Sequence, residues 1–277
     1  MKYILIFILV LYGCSSTTTK TESEVDRAQF ILLPEFLAMS MAEDGYKQEL
    51  KKARENKQLN QNDEHVRRVR EIGFNIIDQV IFLRDGTEDW NWEINVQESE
   101  EVNAYCMPGG KIMMYSALIE KTNATDDEIA AVMGHEIAHA IREHGRERMS
   151  TALVQQVGLI GFAAYIANQA EDRRVADVAL QAAAIGTTLF FALPHSREHE
   201  READKLGMEL AARAGYNPIA AVSLWRKMDA LSNAKIPEFF STHPSNENRI
   251  QDLQAHAKKI NPLYLCLLYT SDAADDR

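Results

Sequence analysis

Apolar residues recur at steps of three and four along much of the chain, and this spacing predicts a mainly helical protein. The clearest predicted helix covers residues 62–81, whose apolar positions are Val66, Val69, Ile72, Ile76 and Val80. Another is predicted from residue 126 to about 149, because Thr125 and Glu128 form a capping box ahead of an apolar stripe. Further helices are predicted at 116–122, from Ser196 to Gly215, from Pro218 onwards, and from Ser245 to 258.

A different pattern interrupts the helices between residues 90 and 115. Apolar and polar residues alternate from Trp90 to Val96, as in a strand with one buried face. Residues 101–106 and 111–115 predict two more strands, which a turn at 107–110 joins. The predicted fold class is therefore α+β, mainly α-helical, with one small β-sheet.

Two stretches without charged residues, 157–167 and 182–193, follow the long predicted helix. Each is shorter than the roughly 20 residues that a membrane-spanning helix needs. They predict a helical hairpin packed on the domain, and a lid or a membrane-contacting role is the alternative. The net charge of −11 argues against nucleic acid as a partner, because phosphate backbones attract basic surfaces.

The chain begins with a pattern typical of secreted proteins. A basic start and an apolar run of about ten residues precede Leu11-Tyr12-Gly13-Cys14, which resembles a bacterial lipobox. Residues 1–13 are therefore predicted to be a signal peptide, and Cys14 to carry a lipid at the head of a polar tether, 14–25. By resemblance to Gram-negative lipoproteins, Ser15 favours the periplasmic face of the outer membrane. An ordinary signal peptide that includes a cysteine is the alternative.

The last twelve residues do not continue the helical pattern before them. Residues 266–277 resemble the conceptual translation of a sequencing adapter, and we expect them not to be native. A genuine acidic tail is the alternative. The predicted folded domain is therefore residues 26–265.

The strongest chemical signal is His135-Glu136-x-x-His139 inside the long predicted helix. Residues four apart lie on one face of a helix, so the two imidazoles can bind one zinc ion. Glu136 can take a proton from a zinc-bound water. Two solvent-facing histidines on an amphipathic helix are the alternative.

A catalytic zinc ion needs a third protein ligand and an open position for water. His144 is five residues past His139 and, at about 100° per residue, is predicted to point away from the His135/His139 face, so it is rejected as that ligand. Glu200 and Asp204 lie on one face of a second predicted helix. Glu200 can bind zinc while Asp204 orients a ligand histidine. His65, His195, His199 and His256 are predicted to be surface residues.

Three motifs in order resemble the HtpX/CAAX-protease (Ste24-type) family of gluzincin zinc metallopeptidases: His135-Glu136-x-x-His139, Glu200-x-x-Ala203-Asp204, and Thr242-His243-Pro244-Ser245 with Arg249. The likeness covers about residues 62–257 and is greatest to small bacterial envelope lipoproteins, the LoiP type. It implies a zincin-like domain that holds one zinc ion per chain, with Glu200 as the third ligand. It also implies an endopeptidase that acts on unfolded or misassembled envelope proteins.

The resemblance gives further residues a role. Asn103, Ala104 and Tyr105 begin a segment similar to the family's edge strand, which lies beside the zinc helix and binds the substrate backbone. His243 is implied at the rim of the active site, where it hydrogen-bonds the oxyanion or covers the zinc ion in a resting state. Arg249 is implied to brace the ligand helix, for example by pairing with Asp204.

Two other functions stay open from the sequence. In the first, the protein is a chaperone-like or scaffolding lipoprotein whose zinc site is latent, with His243 blocking the water position. In the second, zinc is purely structural. Structural sites are usually four-coordinate and rich in cysteine, whereas Cys106 is the only plausible thiol here.

Overall fold

A computed structural model describes residues 14–15, 17–169, 195–232, 238–243 and 248–275. The fold is mainly helical, as predicted. The helices are α1 Glu35–Glu55, α2 Asp63–Ile77, α3 Ser116–Thr122, α4 Asp126–Ile141, α5 His144–Gln169, α6 Arg197–Arg213, α7 Ala220–Ser232, α8 Glu238–Thr242 and α9 Arg249–Asp275. The strands are β1 Cys14–Ser15, β2 Gln29–Phe30, β3 Glu93–Gln97, β4 Ala104–Met107 and β5 Lys111–Tyr115.

Helix α4 lies at the centre of the core. Its capping box forms as the sequence predicts, since Thr125 accepts a hydrogen bond from the Glu128 backbone and Glu128 reaches back to Thr125. Every residue from 128 to 141 is buried. Helices α2, α6 and α7 and strand β4 pack around it. A side chain on α4 is therefore held from several directions, which suits a helix that carries chemistry.

Strands β3, β4 and β5 form one sheet in the order β3-β5-β4. β3 runs parallel to β5, and β4 runs antiparallel to β5. Among the described residues, β4 is thus an edge strand, and it contacts α4. The small sheet that the alternating pattern predicts is confirmed, and its strands begin up to three residues later than expected.

The predicted helix from 126 to about 149 is two helices. α4 ends at Ile141, and α5 begins at His144. Between them Glu143 has φ +58°, a left-handed conformation that a helix interior does not allow. Arg84 stabilises this break, because its guanidinium donates to the Ile141 carbonyl at 2.7 Å and to Glu143 at 3.1 Å. The chain therefore changes direction immediately after the zinc-binding motif.

Helices α4 and α6 touch through two glycines. A Cβ atom at Gly134 would lie 2.4 Å from the Gly207 carbonyl oxygen, and one at Gly207 would lie 2.5 Å from the His135 nitrogen. Both distances are far below van der Waals contact, so neither position accepts a side chain while the helices stay in place. This crossing brings the motif of α4 against the acidic face of α6.

The segment expected to be a polar tether packs on the domain from residue 17 onwards. Thr19, Ser23 and Val25 are buried, and Ser23 donates to the Glu209 carboxylate of α6 at 2.6 Å. Strand β1 pairs antiparallel with β2 just beyond. Residues 17–30 therefore form a strap along α5 and α6, because hydroxyl and backbone groups find buried partners there.

Four other predicted features differ or lie outside the described residues. The sequence predicts an apolar helix at 30–41 and a charged helix face or connecting arm at 42–62, and a single helix, α1, covers much of both ranges. Helix α9 continues to Asp275, through the segment expected not to be native. The predicted signal peptide and the stretch 182–193 fall outside the described residues. Among the described helices, none combines the length and apolar character that a bilayer span requires.

Candidate metal centre

Four buried side chains converge where α4, α6 and the end of α8 meet: His135, His139, Glu200 and His243. One donor atom from each lies within 4.8 Å of all the others. His135 Nε2 is 3.1 Å from His139 Nε2 and 3.3 Å from His243 Nδ1. The sequence placed the first three residues in one site, and the structure brings His243 in beside them as a fourth donor.

Glu200 is the anionic centre of this group. Its Oε1 lies 3.1 Å from His243 Nδ1 and 3.4 Å from His139 Nε2. Burial opposes ionisation, but the close contacts with His135, His139 and His243 outweigh it and hold the pKa of Glu200 well below its ordinary value. Glu200 is therefore an ionised carboxylate in a buried position, which is the form that binds a metal ion.

Asp204 and Arg249 support this part of the site from behind. Asp204 Oδ1 is 3.0 Å from His135 Nδ1, so it faces the nitrogen that points away from the donor group. Arg249 pairs with Asp204 at 2.7 Å and with Glu200 at 3.1 Å, and its guanidinium lies 3.4 Å above the Trp225 ring. The pairing of Arg249 with Asp204 agrees with the sequence-based expectation, while its contact with Glu200 was not expected.

His139 is backed by residues that sequence reasoning set aside. His144 Nδ1 is 2.9 Å from His139 Nδ1, and His144 Nε2 is 2.9 Å from Glu202 Oε2. His144 does not join the donor group, as predicted, but the predicted orientation was wrong. The break at Glu143 turns His144 back toward His139. His199 and His256, predicted at the surface, are buried as well.

Glu136 lies beside the donor group with one oxygen unpaired. It is 2% exposed, and its Oε1 has no hydrogen-bond partner among the described residues. His243 Nε2 lies 3.5 Å from that oxygen. Burial raises the pKa of Glu136 above its ordinary value, although His243 and His135 oppose the rise. Such a carboxylate is suited to accepting a proton.

The backbone groups that β4 leaves unpaired by β5 differ from those that the sequence predicted to bind a substrate. Tyr115 donates its N–H to the Asn103 carbonyl at 3.1 Å, so Asn103 faces β5. Hydrogen-bonded pairs alternate along an antiparallel ladder, so Tyr105 also faces β5. The outward N–H and C=O groups therefore belong to Ala104 and Cys106. Of the three predicted residues, only Ala104 presents its backbone to the free edge.

The donor chemistry of the site fits a zinc ion. Two imidazole nitrogens and a carboxylate are the protein ligands of many catalytic zinc sites, and a third imidazole lies among the same donors. The ionised state of Glu200 and the orphaned oxygen of Glu136 fit the same chemistry. The described residues could thus hold one metal ion, with Asp204 and His144 behind its two histidines.

The sequence matches a known family across this region. The family model described as "Peptidase family M48" matches residues 66–257, which contain all four donors and Glu136. The chain is also similar to the mitochondrial metalloendopeptidase OMA1 of Bos taurus, with 34% identity over 177 residues, 61% of this chain and 33% of the relative. A mitochondrial OMA1 of Schizosaccharomyces pombe is 32% identical over 176 residues, 63% of this chain and 49% of the relative.

A bacterial relative gives a similar match. The beta-barrel assembly-enhancing protease of Escherichia coli is 28% identical over 171 residues, 60% of this chain and 34% of the relative. The chain thus spans between a third and a half of the length of these curated relatives. The zinc metallopeptidase family implied by the three motifs is confirmed, whereas these relatives are OMA1 and beta-barrel assembly-enhancing proteases rather than HtpX, Ste24 or LoiP-type proteins.

Proposed function

The chain belongs to peptidase family M48, and from this premise we propose that it is a zinc-dependent endopeptidase with one zinc ion per chain. Its substrates are unfolded or misassembled proteins of the bacterial cell envelope, and a lipid on Cys14 anchors it at the periplasmic face of the outer membrane. The lipobox-like signal and the name of the relative from Escherichia coli support the envelope location. The motif resemblance supports the small-lipoprotein branch.

One observation carries the proposed activity. An unpaired, buried Glu136 oxygen lies next to a cluster of three imidazoles and an ionised carboxylate. A purely structural zinc site needs no carboxylate beside its ligands, whereas a hydrolytic site needs a base at that place. Glu136 is placed to take the proton of a water held by these donors.

The position of each site residue gives it a role in peptide hydrolysis. His135, His139 and Glu200 would hold zinc, which lowers the pKa of a water and polarises a carbonyl when bound. Glu136 takes the water's proton on Oε1 and then passes it to the leaving amine. The outward backbone groups of Ala104 and Cys106 hold an extended peptide along the free edge of β4.

The first experiment is Glu136→Gln in the purified full-length protein, with cleavage of casein as the readout. Glutamine keeps the size of the side chain but cannot take a proton, so we expect a loss of roughly 10²–10⁴-fold with zinc retained. Glu71→Gln, an exposed change on α2, is the matched control. If the Glu136 variant cleaves like the parent, the assignment of the base is wrong.

His243 favours a second candidate function, a latent enzyme that binds client proteins without cleaving them. Its Nδ1 lies among the other donors, at the position that a reacting water would need. In that arrangement His243→Ala opens the position, and casein cleavage rises. A fall in cleavage of about 10²-fold or more would instead assign His243 to the oxyanion. Client binding by the zinc-free protein, with no cleavage in either protein, would favour the latent function.

A further inference from the structure

The histidine His144 has no place in the mechanism above, yet it is fully buried against a metal-ligand candidate. Its Nδ1 is 2.9 Å from His139 Nδ1, and its Nε2 is 2.9 Å from Glu202 Oε2. A buried imidazole with both nitrogens so close to partners is held in one orientation. In each of its two hydrogen bonds His144 is either the donor or the acceptor, and the tautomer of His139 determines which.

His139 sets the direction first. Its Nε2 faces the donor group, 3.1 Å from His135 Nε2. A neutral imidazole that offers a lone pair there must carry its hydrogen on Nδ1. His139 therefore donates from Nδ1, and His144 accepts with its own Nδ1. The hydrogen of His144 is then on Nε2, and it is donated to Glu202.

Glu202 closes the chain as an acceptor only. Arg142 donates to its Oε2 at 3.0 Å, and Arg27 donates to its Oε1 at 2.7 Å. A carboxylate between two guanidinium groups is ionised and has no hydrogen to give back to His144. The opposite direction of the hydrogen bonds, which would put a hydrogen on the metal-facing nitrogen of His139, is therefore excluded.

We propose that His144 and Glu202 are positioning residues that fix the tautomer of His139 and aim its Nε2 at the metal. The proposal rests on the proposed zinc site. The strap takes part through Arg27, which also holds Glu147 of α5 with two hydrogen bonds at 2.7 and 2.8 Å. Through Glu202, the support of His139 thus extends to Arg27, which lies more than a hundred positions before His135 in the sequence.

Zinc affinity tests the proposal, measured on metal-stripped full-length protein by competition with a chromogenic chelator. His144→Phe keeps a ring of similar size but removes both hydrogen bonds, and we expect zinc binding to weaken about 10–100-fold. The matched control is His199→Phe. His199 stacks on His144 with ring centroids 4.4 Å apart, and it bonds Glu147 rather than a metal-ligand candidate. The control should stay within about twofold of the parent, since its ring touches no ligand.

A second pair of variants covers a failure of the first to fold. Asn and Leu have nearly the same shape, but only Asn can accept a hydrogen bond from His139. We expect His144→Asn to bind zinc more tightly than His144→Leu, while the melting temperatures of the two metal-free proteins stay alike. If His144→Phe binds zinc as tightly as His199→Phe, or His144→Asn as tightly as His144→Leu, the positioning role is wrong while the proposed function still stands. An absence of zinc binding by the parent overturns the proposed function together with it.

Discussion

The two histidines of α4 lie one turn apart, but the protein supports them in different ways. His135 is backed directly by Asp204, at 3.0 Å, and Arg249 of α9 holds that carboxylate. His139 is backed through His144 of α5, and the carboxylate of Glu202 comes only after it. The first support needs α6 and α9. The second needs α6 as well, together with the break after α4, the start of α5 and the strap.

The comparison shows how much one stretch of α6 contributes. Glu200 faces the donor group, Asp204 stands behind His135, and Glu202 stands behind His144. Residues two apart on a helix point about 200° away from each other, which is why Glu202 reaches the opposite side from its neighbours. Five consecutive residues of α6 thus supply one ligand candidate and the anionic end of both supports.

The largest effect on this comparison is expected from Gly207→Ala, which disturbs both supports at once. The new Cβ would lie 2.5 Å from the His135 backbone nitrogen, and neither backbone can give way. The helices must separate, and we expect unfolding free energy to fall by about 3 kcal/mol. Thermal melting with and without zinc measures the change. Gly45→Ala is the control, because its Cβ would meet nothing within 4 Å; it should raise stability by about 0.5–1 kcal/mol. If the two variants have similar melting temperatures, the close contact of α4 and α6 at Gly207 would be refuted.

A smaller effect should separate the two supports. Asp204→Asn changes the residue next to His135, and we expect zinc affinity to fall about 10–100-fold. Glu202→Gln acts one hydrogen bond farther from the metal, so its loss should be about three- to tenfold. Both are measured by chelator competition on metal-stripped protein. The reverse order would mean that the longer support is the more important one.

The smallest effect concerns the strap side and pH. Burial tends to raise the pKa of Glu147, but hydrogen bonds from Arg27, His199 and Gln29 hold it far below its ordinary value. A lowered folded-state pKa gives stability that is present above about pH 4.5 and is lost as pH falls further. Denaturation of the metal-free protein should show a loss of about 1–3 kcal/mol below pH 4.5. The loss should be smaller in Glu147→Gln, and an unchanged pH profile in that variant would rule out this source.

The support of His135 could be predicted from the sequence because its signals are local. The capping box at Thr125 begins α4, Ser196 caps α6 through the His199 N–H at 3.1 Å, and Glu200 and Asp204 share a face at i,i+4. Each of these patterns lies within a few residues. The motif resemblance then joined the two helices and added His243 and Arg249.

The support of His139 could not be predicted in the same way. This support requires the helix break at Glu143, which has a left-handed backbone conformation. A glycine there would have signalled the break in the sequence, but a glutamate does not. The Arg84 contacts that stabilise this break come from a segment about sixty residues earlier. The strap looked like a linker because its residues are polar, and its buried partners lie on distant helices. The outward groups of β4 likewise depend on a register that only the ladder with β5 fixes.

The glycine crossing of α4 and α6 has a consequence for how such a site can change over time. The two backbones are already at the closest distance that their atoms permit. Mutation can therefore increase the distance between α4 and α6 but cannot decrease it. Selection for a different metal or a different reaction rate must therefore act on the surrounding side chains. The distance between the two helices therefore has a lower limit that mutation cannot pass.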